Sequence, residues 1–185
     1  MEYVYHMIPK EMVGKKLMAL NKLKLKDRGL YERYMKKYYD HPERPRLLEK
    51  QVPKLDCLWN DVIHLLPLHP SHVYQALTEL RVSVKHDLNF YKIPFTQLAA
   101  NQNVIYLYRK RYYQGPAAKI NEKEIKWIQH ISEYQALTSI PKDTLTYFEK
   151  EHAKGNRFGM FHFIPHILSL GEIDTENADI INWNE

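Results

Sequence analysis

The sequence is poor in the residues that mark several common protein classes. Cys57 is the only cysteine among 185 residues, so it has no partner for an intramolecular disulfide or for a cysteine-based zinc site. We therefore expect a reducing compartment, the cytoplasm. The six glycines are scattered along the chain, which excludes the dinucleotide fingerprint and the P-loop. Kinases, GTPases and dehydrogenases that depend on those loops are not expected.

Long apolar runs are missing as well. No stretch approaches the roughly 20 apolar residues that span a bilayer, and the opening residues MEYVYHMIPK lack the basic-then-apolar order of a secretory signal. We expect no export by that route and no membrane partner.

The residues that are present indicate one globular domain over residues 1–185, with 44% hydrophobic and 26% charged residues. The net charge of +5 is uneven, because residues 1–54 carry +7 and the remainder carries −2. Such a basic segment can attract a polyanion through counterion release. A solvated basic face that binds nothing is the alternative.

Hydrophobic patterns predict short strands and helices in mixed order. The first strand is Tyr3–Ile8, and Leu30, Tyr34 and Tyr38 mark an amphipathic helix. The later strand candidates are 55–66, 90–93, 104–108, 158–167 and 178–183, and the later helices begin at the N-cap candidate Ser71 and at Pro141. We therefore predict an α+β fold with small mixed or antiparallel sheets around a central cleft and flanking helices. The first and last strands are expected in one sheet, with His6 facing the cleft.

Histidines are frequent, but their spacing does not favour a metal site. One group comprises His64, His69 and His72, separated by prolines, and the other comprises His162 and His166. Neither matches the helical HExxH arrangement that places two imidazoles on one zinc ion. No metal is expected. Cys57 lies in an apolar stretch, where burial raises a thiol pKa, so a structural role is favoured over a nucleophilic one.

Four polar features follow one another along the chain: Tyr5-His6 near the end of the first strand, the arginines Arg44 and Arg46, the element Trp59-Asn60-Asp61, and the C-terminal block FHFIPHILSLGEIDTENADIINW. The first three, in this order, resemble the DarT family of DNA-modifying toxins, and the C-terminal block resembles the close of small domains that begin with a Tyr-His strand and end in a Pro-His-containing strand. Both groups look like ADP-ribosyltransferase or RNA 2′-phosphotransferase folds. The resemblance covers about the first 80 and the last 30 residues.

The resemblance implies NAD as cofactor, which Tyr5, His6 and Asn60 would bind. His6 would hold the ribose or the nicotinamide amide, Asn60 would lie beside the nicotinamide ribose, and Arg46 would be at the phosphates or the reacting centre. Cleavage of the glycosidic bond also calls for a carboxylate near the ribose. The position where the family carries its acid falls near Met160, so Glu172 is the candidate catalytic acid. Structural roles remain open, because His6 can close a strand edge, Asn60-Asp61 can cap a turn, Arg46 can be a solvated helix residue and Glu172 can be a turn residue.

The predicted acceptor is a macromolecule. The basic cluster Arg109-Lys110-Arg111 precedes the turn at Gly115 and is expected on an exposed loop that contacts single-stranded nucleic acid, with tyrosines as stacking faces. The alternative function is a non-enzymatic module that binds nucleic acid or protein and has lost the catalytic acid.

Overall fold

The computed structural model describes residues 1–40, 42 and 44–185. Within these residues the chain forms four α-helices and eleven strands. In chain order they are β1 (Tyr3–Met7), β2 (Lys16–Leu17), α1 (Leu20–Lys26), α2 (Arg28–Met35), β3 (Gln51–Val52), β4 (Cys57–Leu58), β5 (Ile63–Leu65), α3 (Ser71–Glu79), β6 (Asn89–Pro94), β7 (Gln102–Tyr106), β8 (Ile125–Ile128), α4 (Lys142–Ala153), β9 (His166–Leu170), β10 (Ile173–Asp174) and β11 (Asp179–Asn182).

Two antiparallel sheets form the framework. One has the strand order β1-β6-β11 and the other has the order β5-β9-β7-β8. A pair of hydrogen bonds joins them, because the Tyr5 N–H donates to the Leu66 carbonyl at 2.9 Å and the Leu66 N–H donates to the Tyr5 carbonyl at 2.8 Å. Strand β1 therefore lies at the junction of the two sheets.

The structure confirms the predicted α+β class and its small antiparallel sheets. The first and last strands do lie in one sheet, but they do not pair with each other, because β6 lies between β1 and β11. Buried apolar residues of these strands, including Val4, Phe90 and Ile167, form the core with the inner faces of the helices.

The strand predicted over residues 158–167 is wrong for most of its length. Residues 158–165 form turns and extended links, and β9 begins only at His166. Phe163 has a φ of +59°, a left-handed conformation in which an extended strand cannot continue. Within this segment Phe161 and His162 line one cavity, whereas Phe158 packs against Phe148 of α4.

The stretch 55–66 is not one continuous strand, because a 3₁₀ turn at Trp59–Asp61 separates β4 from β5. The Asp61 carboxylate accepts the Leu58 N–H at 2.7 Å and so stabilises this turn. The N-cap prediction for Ser71 is also wrong: Pro70 is the N-cap of α3, and the Ser71 hydroxyl bonds to His69 Nδ1 at 2.7 Å. In the part of the chain that the structure describes, no helix combines the length and the apolar character needed to cross a membrane.

Candidate functional site

A cavity of about 320 Å³ opens beside the four-stranded sheet. We call it the aromatic cavity, because five aromatic residues, Trp59, Tyr106, Tyr108, Tyr113 and Phe161, contribute to its wall together with three histidines, His64, His162 and His166. No carboxylate lines it among the described residues. Its chemistry is therefore that of aromatic faces and imidazole nitrogens.

Strand pairing explains why distant residues meet in this cavity. His166 on β9 is directly opposite Tyr106 on β7, and His64 on β5 is opposite Leu168, two residues further along β9. Since side chains on one face of a sheet recur every second residue, His64, His166 and Tyr106 share a face.

Backbone carbonyls fix the tautomers of two of these histidines. His64 Nε2 lies 2.9 Å from the Trp59 carbonyl oxygen, and His166 Nδ1 lies 2.7 Å from the Ile164 carbonyl oxygen. A carbonyl only accepts, so each of these nitrogens carries the proton and donates. His64 Nδ1 and His166 Nε2 are left with their lone pairs as acceptors.

Burial keeps both rings neutral. Desolvation lowers the pKa of His64 to about 3, and the neighbouring His166 and His6 lower that pKa further while its bond to Trp59 opposes the shift. Desolvation likewise lowers the pKa of His166 to about 4, against the opposing bond to Ile164. At neutral pH both rings can accept a hydrogen bond, and neither adds charge to the cavity.

Rings packed behind the lining support the wall at His162 and Tyr108. Tyr147 of α4 stacks on His162 with ring centroids 4.0 Å apart, and the Tyr108 hydroxyl lies 3.0 Å from His162 Nδ1. Tyr108 has a φ of +51° and Phe163 one of +59°, and their rings meet at 5.3 Å. Bulky residues in this backbone region cost on the order of 1–3 kcal/mol each. Two of the five non-glycine residues with a positive φ in the described structure thus lie at this cavity or directly behind its wall.

A second cavity, of about 480 Å³, adjoins the first. We call it the basic groove, because Arg46, Lys50 and Lys119 line it against a single carboxylate, Glu49. Lys50 lines both cavities. Its Nζ donates to the Pro116 carbonyl at 2.8 Å and lies 4.5 Å from the centroid of the Trp59 ring.

The residues expected to bind the cofactor fall in different places. Arg46 lies in the basic groove. Tyr5 is buried, with its ring edge against His69. His6 lines a separate cavity of about 60 Å³ under α1 and α2. Asn60 is buried and accepts the Tyr38 hydroxyl at 2.8 Å. Tyr5, His6 and Asn60 are not among the described residues that line the aromatic cavity.

Two of these residues nevertheless carry unsatisfied polar atoms. His6 Nδ1 and Asn60 Nδ2 are buried without a hydrogen-bond partner in the described structure, a situation that native proteins usually avoid. Burial also lowers the pKa of His6 to about 4, and nearby Lys37 lowers it further.

Glu172 and the basic cluster lie away from the aromatic cavity. His166 is the first residue of β9 and Leu170 is its last, and Glu172 lies two residues beyond Leu170. At ~3.3 Å per residue, about 13 Å of strand separates His166 from Leu170. The Glu172 carboxylate lies 2.8 Å from Lys22 Nζ and 3.6 Å from Lys16 Nζ, and the hydrogen bond from Lys22 lowers its pKa. The Nε of Arg109 donates to the buried Glu124 at 2.6 Å, whereas Lys110 and Arg111 are exposed.

From the sequence we did not predict Lys50, Tyr106 or Tyr108 as site residues, and we considered His64 and His166 only as possible metal ligands. The sequence signal that could have identified these two histidines as site residues is a single histidine within or at the start of an apolar strand, as in Ile63-His64-Leu65 and His166-Ile167. No group of three or more potential metal ligands occurs in the described part of the chain.

Comparisons with protein-family models, curated proteins and solved structures found no match to this chain.

Proposed function

We propose that this chain binds a nucleotide, with the planar heterocycle in the aromatic cavity and the phosphates in the basic groove. The observation that carries the proposal is the adjacency of the two cavities, which share Lys50. NAD is the nucleotide that the resemblance to ADP-ribosyltransferases implies.

The aromatic cavity suits an uncharged planar ring. Trp59, Tyr108 and Tyr113 offer aromatic faces or edges, and stacking of a base on such a ring contributes about 1–3 kcal/mol. The lone pairs of His64 and His166 can accept hydrogen bonds from an amide or an exocyclic amine. A few placed polar groups in an apolar pocket are typical of a ligand site.

The basic groove suits the phosphates. The guanidinium of Arg46 can bind a phosphate through two parallel hydrogen bonds, and Lys50 and Lys119 add point charges. Because Lys50 lines both cavities, one ligand can fill the aromatic cavity and reach the groove.

ADP-ribosyl transfer to a macromolecule is the second candidate function. Bound NAD would supply the ADP-ribosyl group and nicotinamide as the leaving group. The unprotonated nitrogens of His64 and His166 favour this candidate, because either can accept a hydrogen bond from an acceptor hydroxyl or amine and so orient it toward the ribose. The described lining has no carboxylate to stabilise the developing positive ribose, so the geometry supports nucleotide binding more strongly than transfer.

The decisive experiment measures affinities for nicotinamide, ADP-ribose and NAD by calorimetry. Trp59→Leu should weaken NAD binding by at least about tenfold through lost stacking, whereas Trp127→Leu, at an exposed position on the edge strand β8, should leave it unchanged. Arg46→Gln should weaken ADP-ribose and NAD but not nicotinamide, and Arg157→Gln, exposed beyond α4, is its control.

Absence of binding for all three ligands at millimolar concentration would overturn the nucleotide proposal. For the transfer candidate, labelled NAD and an oligonucleotide are incubated with the chain. Label transfer that disappears in both His64→Gln and His166→Gln would support it, and tight NAD binding without transfer would leave a binding module.

A further inference from the structure

Lys50 is held in an unusual position for a lysine side chain. It comes just before β3 and lines both the aromatic cavity and the basic groove. The Lys50 Nζ donates a hydrogen bond to the Pro116 carbonyl oxygen at 2.8 Å, and it lies 4.5 Å from the centroid of the Trp59 ring. The amine is therefore held between these two groups. A carbonyl and an aromatic face stabilise an ammonium group, but neither carries a full negative charge.

Other lysines of this chain have carboxylate partners. Lys15 pairs with Glu176, Lys22 with Glu172 and Lys154 with Glu151. Lys50 makes no such ion pair among the described residues, although it is less exposed than those lysines. Burial without a counter-charge lowers the pKa of Lys50 to about 8. At pH 8 about half of this amine is neutral, against roughly 0.3% for an ordinary lysine.

The surroundings of the amine define the ligand that it can meet. Arg46 and Lys119 lie on the groove side and favour a phosphate, whereas Trp59 and Tyr108 lie on the cavity side and favour an apolar or planar group. A desolvated lysine amine beside other cations is the arrangement that activates lysine toward carbonyl compounds.

We propose that Lys50 is a nucleophilic amine that forms an imine with a phosphorylated aldehyde, whose phosphate occupies the basic groove. The neutral Nζ attacks the aldehyde carbon, and the resulting carbinolamine loses the former carbonyl oxygen as water. Both amine protons leave in that water, and a C=N bond remains. The step needs no oxidant or reductant. It uses the two cavities of the proposed function but does not require that a nucleotide bind there.

Pyridoxal phosphate is a suitable probe, because it combines a planar ring, an aldehyde and a phosphate. The folded 185-residue chain is mixed with the probe at pH 8, the imine is trapped with borohydride, and labelled lysines are located by peptide mass spectrometry. We expect Lys50 to label at least tenfold faster than Lys126, an exposed lysine on β8. Pyridoxal without its phosphate should label Lys50 more slowly, and inorganic phosphate should compete with pyridoxal phosphate.

Matched variants complete the test. Lys50→Met should remove the fast imine absorbance, and Lys126→Met should leave it unchanged. If Lys50→Met fails to fold, the site-resolved rates in the unmodified chain still decide the matter. Equal labelling rates for Lys50 and Lys126 would overturn the proposal. It would also be overturned if inorganic phosphate did not slow the labelling of Lys50 and pyridoxal labelled Lys50 as fast as pyridoxal phosphate does. Nucleotide affinities are measured without the probe, so a failure of the proposed function is distinguishable from a failure of this inference.

Discussion

Mild acid should destabilise this chain through three histidines at the junction of its two sheets. Burial lowers the pKa of His6 and of His166 to about 4 and that of His64 to about 3. The unfolded chain protonates the same residues near pH 6.5. Between pH 6.5 and about 4 the unfolded state therefore binds more protons, and the free energy of unfolding falls as the pH falls.

The magnitude follows from linkage. A histidine whose pKa is about 4 when folded and 6.5 when unfolded loses about 2 kcal/mol of stabilisation between pH 7 and pH 5. Three such residues give about 5–6 kcal/mol, an upper figure because all three residues are only partly buried. Small domains have only about 5–15 kcal/mol in total, so we expect unfolding to set in at about pH 5. The hydrogen-bonded carboxylates Glu151 and Glu172 have lowered pKa values, and their contribution is lost only at lower pH.

Urea denaturation at half-unit steps from pH 7.5 to 4.5 measures this dependence. His166→Gln keeps a polar side chain and should reduce the slope of free energy against pH by up to about 1.4 kcal/mol per unit. His130→Gln, at an exposed loop position, should leave the slope unchanged. A free energy that is constant from pH 7 to pH 5 would refute the assignment of these rings as buried and neutral.

Further predictions concern stability, the basic cluster and Glu172. Gly171→Ala should destabilise the fold by about 1–3 kcal/mol, because the φ of Gly171 is +152° and an added Cβ would lie 2.0 Å from Asn101 Oδ1. Gly29→Ala in α2 meets only ordinary contacts and should stabilise the fold by about 0.5–1 kcal/mol. Differential scanning calorimetry measures both effects. Glu124→Gln should cost about 1–3 kcal/mol in urea denaturation, because the buried carboxylate that accepts from the Arg109 N–H and Nε is replaced by an amide with a single acceptor oxygen. Oligonucleotide binding, followed by fluorescence anisotropy, should weaken steeply with salt, and the double variant Lys110→Gln, Arg111→Gln should reduce that salt slope by up to about two charges; salt-independent binding would contradict the polyanion hypothesis. Glu172→Gln should leave NAD affinity in calorimetry unchanged, since its carboxylate pairs with Lys22 beyond the far end of β9; a large loss would return Glu172 to the site.

Local sequence determined several elements of this protein. The aromatic and β-branched run at Tyr3–Met7 forms β1, the spacing of Leu30 and Tyr34 corresponds to α2, and Pro141 and Gly155 bracket α4. These features depend on periodicity and on backbone preferences that each residue expresses within its own segment. The same local rules predicted that Cys57 is buried, whereas the structure leaves it half-buried, and this partial burial raises its pKa to about 11.

Tertiary structure alone decided the site. Residues 158–165 have the composition of a strand, but the left-handed Phe163 and the packing of His162 between Tyr147 and Tyr108 fold them into a cavity wall. His64, Tyr106 and His166 meet because the register of β5, β9 and β7 places them on one face, and a one-residue shift would separate them. Glu172 is distant from these three residues because the length of strand β9 separates it from His166. The low pKa values of Lys50 and the histidines come from desolvation by residues distant in sequence, which no local pattern encodes.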